Sequence, residues 1–190
     1  MATVAEEHCN QVLEIFAAES WRLDVLRALA GLGLPDCWIA AGFLRNPIWD
    51  RLHGFERATP LNDIDVVYFD TGDRSEDRDR RLEAELQQRA PDLPLSVHNQ
   101  ARMHDYNGDP PYDSTEQALR HWLEGVSAVG IRMTDAGELE LLAPFGFAEI
   151  FEMTVRPTPH AKSLRLDAYR DRMARKNWPA IWPKVQVLTG

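Results

Sequence analysis

The stretch that decides the fold is Asn62-Asp63-Ile64-Asp65-Val66-Val67-Tyr68-Phe69-Asp70, the strongest strand signal in the chain. It is rich in β-branched and aromatic residues, which favour the pleated surface of a sheet. Because side chains alternate faces along a strand, Asp63 and Asp65 are predicted to point the same way, about 7 Å apart. The apolar run after them would anchor the pair at the rim of a buried strand.

Two negative charges held this close repel each other, and burying them without a counterion is costly. Mg²⁺ relieves such repulsion, and it favours one or two carboxylates together with phosphate oxygens and water. The segment therefore predicts that Asp63 and Asp65 bind Mg²⁺ (or Mn²⁺) and, through it, a nucleoside triphosphate. For an arbitrary pair of this kind, two acids that merely solvate a strand edge would be the better interpretation, so the upstream sequence matters.

Upstream, the apolar run from Cys37 to Gly42 predicts a short buried strand, and a helix is predicted directly after it, from Phe43 to Leu52. A junction of glycine and helix leaves backbone amides free to bind phosphate. Arg45 carries a planar fork suited to phosphate, and Asn46 is predicted to line or cap the same junction. A surface arginine that pairs with Asp50 is an equal alternative for Arg45.

The rest of the chain alternates helical and strand patterns, which predicts an α/β (α+β) fold: a small mixed β-sheet flanked by helices, with helical N- and C-terminal segments. We expect residues 1–190 to form one domain, since 190 residues is a usual domain size. The predicted elements are helices over 5–32 with a break and cap at Ser20, a helix from Ser75 to about Gln88, a strand over 95–99, a helix over 114–122, a hairpin of 126–134 with 138–142, and a basic helix over 163–177. Pro47 is expected in the first turn of its helix.

Composition narrows the classes of partner. The net charge is −9, which makes a nucleic acid unlikely as partner because binding it usually needs a basic surface. No apolar run approaches the roughly 20 residues of a membrane helix. Cys9 and Cys37 form no disulfide framework, and the N-terminus lacks the pattern of a signal peptide, so we expect a cytoplasmic protein without a membrane partner.

A dense polar cluster follows the predicted strand over 95–99. Residues 98, 100, 102 and 104 would share a face if that strand continued. Asn99, Gln100 and Arg102 are therefore candidates for contacts with a nucleotide, since amides and arginine suit bases and phosphates. The alternative is a polar loop bonded to its own backbone.

The segments Gly42-Phe43-Leu44-Arg45-Asn46, Asn62 to Asp70, Asn99 to His104 and Ala143-Pro144-Phe145-Gly146-Phe147 together resemble a bacterial family of predicted nucleotidyltransferases. The resemblance covers roughly residues 38–183. It implies the DNA polymerase β-like nucleotidyltransferase fold and an enzyme (EC 2.7.7-type) that moves a nucleoside monophosphate from a nucleoside triphosphate (NTP) to an acceptor hydroxyl.

Two departures from that superfamily's pattern stand out. Phe43 takes the place of the usual serine after the glycine, and the strand over 95–99 has no third carboxylate. Glu140, on the later hairpin beside Glu138, is the candidate for that acid and for the catalytic base. The departures leave open a catalytically inactive nucleotide-binding or regulatory module of the same fold, and more weakly a metal-dependent phosphoesterase. The basic helix, which includes Arg165 and Arg172, is either a charged surface or a face that approaches an anionic substrate.

Overall fold

The computed structural model describes residues 2–190, and its centre is a five-stranded mixed sheet. The strands are β1 (Trp38–Ala40), β2 (Ile64–Tyr68), β3 (Leu95–Asn99), β4 (Gly130–Met133) and β5 (Leu139–Leu142), in the order β3-β2-β1-β4-β5. Strands β2 and β3 are parallel, whereas β1 pairs antiparallel with β2 and β4, and β4 with β5. The predicted fold class, a small mixed sheet flanked by helices, is confirmed.

Ten α-helices surround the sheet in the described part of the chain. They are α1 (Val4–Ala17), α2 (Ser20–Ala30), α3 (Gly42–His53), α4 (Glu76–Arg89), α5 (Met103–Asn107), α6 (Thr115–Arg120), α7 (Ala148–Phe151), α8 (Pro159–Leu164), α9 (Leu166–Lys176) and α10 (Trp178–Ile181). Ser75 caps α4 through the amide of Arg78, as predicted. Ser20, by contrast, is the first residue of α2 and does not cap it, because Glu19 occupies the N-cap position. No described helix has the length and apolar character that crossing a bilayer requires.

The sheet has one face in the main core and one face that is more open. Ile64, Val66 and Tyr68 of β2 belong to the large apolar cluster beneath the helices. Val67 packs instead with Trp38 and Ala40 in a small second cluster, and Asp65 is on that same side because side chains alternate. The fold thus leaves Asp65 on the face of the sheet that is not filled by the main core.

Helix α3 contains Pro47 in its interior, so the expectation that Pro47 lies in the first turn was wrong. Proline has no amide hydrogen, and the carbonyl four residues earlier, that of Phe43, therefore lacks its helical donor. Nη1 of Arg22, which is 2% exposed, donates to this carbonyl over 2.8 Å. An arginine from α2 thus replaces the missing hydrogen bond and lets the helix continue.

The C-terminal third departs most from the predicted elements. The helix expected over 163–177 is two helices, α8 and α9, which meet at Arg165. A second, parallel sheet pairs β6 (Thr154–Val155) with β7 (Gln186–Val187). These two-residue strands were not predicted because so short a segment shows no periodicity.

Candidate active site

The junction of β1 and α3 presents unpaired backbone amides. Ala41, the N-cap residue, has φ 53° and ψ −120°, a conformation that favours glycine. Its carbonyl accepts from the amides of Leu44 and Arg45. Within residues 2–190 the amides of Gly42 and Phe43 have no hydrogen-bond partner, as expected for the first turn of a helix without a side-chain cap. This end of α3 carries partial positive charge from the helix dipole.

Asp65 lies beside that junction because of the strand register. It pairs with Ala40 across the antiparallel β1–β2 ladder, one residue before Ala41. Burial, followed by the negative charge of Asp63, raises the pKa of the Asp65 carboxyl, whereas the positive charge of His98 acts in the opposite direction. Asp63 itself is exposed, directly before β2. A buried carboxylate whose pKa is raised in this way, with a second carboxylate nearby, suits a divalent cation.

A cavity of about 360 Å³ opens in front of Asp65. One wall, here called the sheet wall, consists of Ala41, Asp65, Val67 and His98. The second group of lining residues comes from later in the chain and is here called the helical wall, because its members follow α6, join α8 to α9 or lie on α9: His121, Trp122, Leu123, Glu124, Arg165 and Arg172. Ala41, the N-cap residue of α3, and Asp65 therefore line the same space, together with two arginines.

Glu124 organises the helical wall. It is 1% exposed, and its carboxylate accepts from Arg172 Nε over 2.9 and 3.1 Å and from Ser127 Oγ over 2.7 Å. Ser127 Oγ in turn accepts from Arg45 Nη1 over 2.7 Å. A chain of hydrogen bonds, buried as far as Glu124, thus connects Arg45 with Arg172 on the helical wall.

Arg45 is buried, and the alternative of a surface arginine paired with Asp50 was wrong. Its guanidinium stacks on Trp178, 4.4 Å from the ring centroid, and on Trp49. Burial lowers the pKa of Arg45 to about 10, with Glu124 acting against this shift, so the group stays charged at neutral pH. Asp50 instead accepts from Trp182 Nε1 and from the amide of Thr59.

Gly42, Arg45 and Asn46 are brought together. A Cβ on Gly42 would lie 3.4 Å from Asn46 Nδ2 and 3.5 Å from Arg45 Nη2. Asn46 Oδ1 accepts from Arg45 Nη2 over 2.9 Å, so Asn46 orients the arginine. Phe43 is fully buried and packs on Phe16, which leaves only its amide at the junction.

The polar cluster after β3 does not act as one face, because the strand ends at Asn99 and a 3₁₀ turn over 100–102 follows. Asn99 is fully buried and bonds to the backbone of Asp70, Asp73 and Ala101, so its predicted contact with a nucleotide is replaced by a structural one. Arg102 pairs with Asp79 over 2.5 Å and lines a separate cavity beside α4. Gln100 lines the cavity in front of Asp65, with Nε2 donating to the carbonyl of His98.

Glu140 does not reach the aspartate pair, which corrects its predicted role as third acid. It sits on β5, three strand positions from β2, a lateral separation of about 14 Å at the usual strand spacing. Arg132 Nε donates to its carboxylate over 2.7 Å. The strand separation of about 14 Å is several times the length of a metal–ligand bond, so Glu140 and Asp65 cannot bind the same ion.

Sequence reasoning missed Glu124 and Ser127, although a lone glutamate before Gly125 and among apolar neighbours was a usable signal. It named Arg165 and Arg172 only as part of a basic helix, with an approach to an anionic substrate as one alternative. The structure places both arginines in the cavity lining. Residues so far apart in sequence are joined by tertiary packing, which no local pattern encodes.

Known proteins are similar to this chain in sequence and in fold. The model of a family described as nucleotidyltransferase matches residues 27–187. An NMR structure described as revealing a CCA-adding enzyme head domain is 32% identical, with a TM-score of 0.85, and the match covers 94% of this chain and 95% of that one. No protein of curated function matches the sequence significantly.

A more distant structure, a CCA-adding enzyme in complex with CTP, has 13% identity and a TM-score of 0.56. The match covers 93% of this chain but only 43% of that one. At this identity the likeness concerns the fold alone, and the chain spans less than half the length of that enzyme.

Proposed function

The chain belongs to the nucleotidyltransferase family, and on that premise we propose that it transfers a nucleoside monophosphate from an NTP to an acceptor hydroxyl in a Mg²⁺-dependent reaction. The observation that carries the proposal is that Asp65 and Ala41, the residue that precedes α3, line one cavity of about 360 Å³. We further propose that residues 1–190 form one domain and that this domain acts in the cytoplasm.

The residues present fit a hard divalent cation. Asp63 and Asp65 offer carboxylate oxygens, the donors that Mg²⁺ prefers, and burial and mutual repulsion raise the pKa of Asp65. Mn²⁺ takes the same ligands. A cation bound there would supply positive charge against the triphosphate and the departing pyrophosphate.

The chain's own groups bind and orient the triphosphate. The amides of Gly42 and Phe43 donate to phosphate oxygens, and Arg45 adds positive charge behind them. Asn46 and Ser127 hold the guanidinium of Arg45 in place. Catalysis of this kind rests on positioning and charge neutralisation more than on covalent chemistry by the protein.

The helical wall positions the acceptor. Arg172 and Arg165 face the cavity and attract an anionic substrate, and Glu124 keeps Arg172 in its orientation. Gln100 lines the same cavity. The net charge of −9 favours a small hydroxyl compound over a long nucleic acid as acceptor.

The test is release of pyrophosphate. Each of the four NTPs is incubated with the protein, Mg²⁺ and either tRNA or a panel of small polyhydroxy compounds. We expect Mg²⁺-dependent release with at least one pair, and its loss in Asp63→Asn/Asp65→Asn. The control Asp77→Asn removes a carboxylate on α4 that is 72% exposed and should change nothing. Full turnover by the double variant would refute the proposal.

A second candidate is an NTP-binding module without transfer. It is favoured by Glu124, the one carboxylate besides Asp65 in the cavity lining described by the structure, because both its oxygens are already bonded to Arg172. Calorimetry that detects NTP binding, combined with no pyrophosphate release for any acceptor, would select this alternative.

A further inference from the structure

Three potential metal ligands meet at the point where His121 lines the cavity. Asp109 lies in the loop after α5, His121 at the C-terminal end of α6, and His160 in the first turn of α8. One ligand atom from each lies within 4.8 Å of the others. The proposed nucleotidyl transfer gives no role to Asp109 or His160, and of the three only His121 lines the cavity.

We propose that Asp109, His121 and His160 form a Zn²⁺ site. Two imidazoles and one carboxylate are a common donor set for zinc sites that keep a fourth position open to water. Mg²⁺ would not choose this set, because it prefers oxygen ligands and keeps most of its own water. The site is therefore chemically distinct from the one at Asp63 and Asp65.

The distances already approach those of a bound ion. His160 Nε2 lies 3.1 Å from Asp109 Oδ1. Ligands that bind zinc tetrahedrally at about 2.0–2.1 Å lie roughly 3.4 Å from each other, so this pair needs no large movement. The ring centroids of His121 and His160 are 4.4 Å apart, with the rings nearly perpendicular.

His160 Nε2 points to a missing partner. The atom is buried and makes no hydrogen bond, since the carboxylate of Asp109 is near but not aligned with it. An unsatisfied buried nitrogen costs free energy, and nearby polar groups usually orient to prevent this. A metal ion between the two side chains would take up the lone pair of Nε2.

Neighbouring groups orient the other two ligands as they do in known metal sites. His121 Nδ1 donates to the carbonyl of Gln117 over 2.9 Å, which leaves its Nε2 free to bind metal. The hydroxyl of Tyr112 donates to Asp109 Oδ2 and leaves Oδ1 facing His160. Outer hydrogen bonds of this kind fix the tautomer and the direction of the ligands.

The same network reaches the helical wall. Asn107 Nδ2 donates to the Tyr112 hydroxyl over 3.1 Å, and Arg165 Nη1 donates to Asn107 Oδ1 over 2.8 Å. Both Arg165 and His121 line the cavity in front of Asp65. Zinc would thus tie the loop after α5 to α6 and α8, and hold one side of the cavity in place.

The experiment uses the full chain, freed of metal by a chelator and titrated without any nucleotide. We expect Zn²⁺ to bind with one-to-one stoichiometry in calorimetry, and Co²⁺ at the same site to give the intense visible bands of tetrahedral coordination. His121→Ala and His160→Ala should each weaken Zn²⁺ binding by at least about 100-fold, since each removes a direct ligand. X-ray absorption should detect two imidazole nitrogens on the ion.

Three controls separate this site from others. His8→Ala removes an imidazole that stacks on Phe151 in another part of the molecule, and it should leave Zn²⁺ binding unchanged. His98→Ala and Asp63→Asn/Asp65→Asn alter residues of the sheet wall and the acid beside it, and they should leave the Co²⁺ spectrum unchanged. Circular dichroism of His160→Ala, with His160→Gln as a second variant, shows that the fold is intact.

The proposal is overturned if no stoichiometric Zn²⁺ binding occurs, or if folded His160→Ala binds as tightly as the parent. Loss of the Co²⁺ spectrum in Asp63→Asn/Asp65→Asn would also overturn it, by moving the ion to the aspartate pair. Because every readout is taken without NTP, these outcomes are independent of the proposed transferase activity.

Discussion

The two walls of the cavity in front of Asp65 are built in different ways. Local rules position the sheet wall: alternation along β2 directs Asp65 and Val67 to one side, and the register with β1 brings Ala41 next to them. Long-range packing positions the helical wall, in which Glu124 and Arg172 meet across 48 residues of sequence. The first wall is therefore readable from sequence, whereas the second needs the fold.

The largest effect is expected when two acids are compared. Glu124 is placed in the cavity lining by the fold, whereas Glu140 was predicted from the sequence as the third acid. Glu124→Gln should lower turnover about 100-fold, because Arg172 loses its charged partner and a small displacement near the reacting groups has an effect of that size. Glu140→Gln should stay within about twofold, since its pair with the half-exposed Arg132 is on the far strand. Pyrophosphate release measured under identical conditions compares the two, and equal losses would restore Glu140 as a participant.

Particular residues show how far sequence reasoning reached. The strands β2 and β3, the hairpin of β4 and β5 and the cap at Ser75 follow from alternation, turn residues and capping, which act over a few positions. The prediction for Asn99 was wrong because a polar residue after a strand looks alike whether it bonds to a ligand or to nearby backbone. Asn99 bonds to the backbone around Asp70, and only the fold brings that segment to it.

The support beneath the sheet wall can also be tested, through Arg22. Arg22→Met should lower the free energy of unfolding by about 2 kcal/mol, because the buried carbonyl of Phe43 loses its donor. In a Pro47→Ala background the same change should cost about 1 kcal/mol less, since the introduced alanine has an amide hydrogen to donate to that carbonyl. Urea unfolding of the four proteins completes the cycle.

A control variant and an additivity criterion check that Arg22 acts through the carbonyl of Phe43. Arg27→Met removes an arginine that is 58% exposed and paired with Asp24, and it should have almost no effect. Strictly additive effects of Arg22→Met and Pro47→Ala would mean that Arg22 does not substitute for the helical hydrogen bond.

A smaller effect is expected at adjacent alanines where β1 ends. Replacing either Ala40 or Ala41 by glycine removes a buried methyl group and adds flexibility to the unfolded chain, at a cost of about 1.5 kcal/mol. Only Ala41, with φ 53°, recovers backbone strain on the order of 1–3 kcal/mol. Ala41→Gly should therefore be nearly neutral and at least about 1 kcal/mol more stable than Ala40→Gly in urea unfolding. Equal stability of the two variants would mean that the junction is not strained.

The smallest effect is expected at Asp65, where replacing the acid should stabilise the protein although it removes the activity. Burial and the charge of Asp63 raise the pKa of this carboxyl in the folded protein, so above its unfolded pKa the ionised group destabilises the fold. Asp65→Asn should raise Tm at pH 7 by roughly 2 °C while it removes turnover. The gain should shrink as the pH falls and vanish well below the unfolded pKa of about 3.9, where the aspartate is protonated in both states.

Thermal unfolding at a series of pH values, without metal or nucleotide, measures this difference between Asp65→Asn and the parent. Asp63→Asn is the matched control: it removes the neighbouring charge but leaves an exposed position, and it should raise Tm less. A lower Tm for Asp65→Asn at pH 7 would show that the carboxylate stabilises the empty protein. Asp65 would then be a structural acid held by its basic neighbours, and the sheet wall would lose its argument for a metal ion.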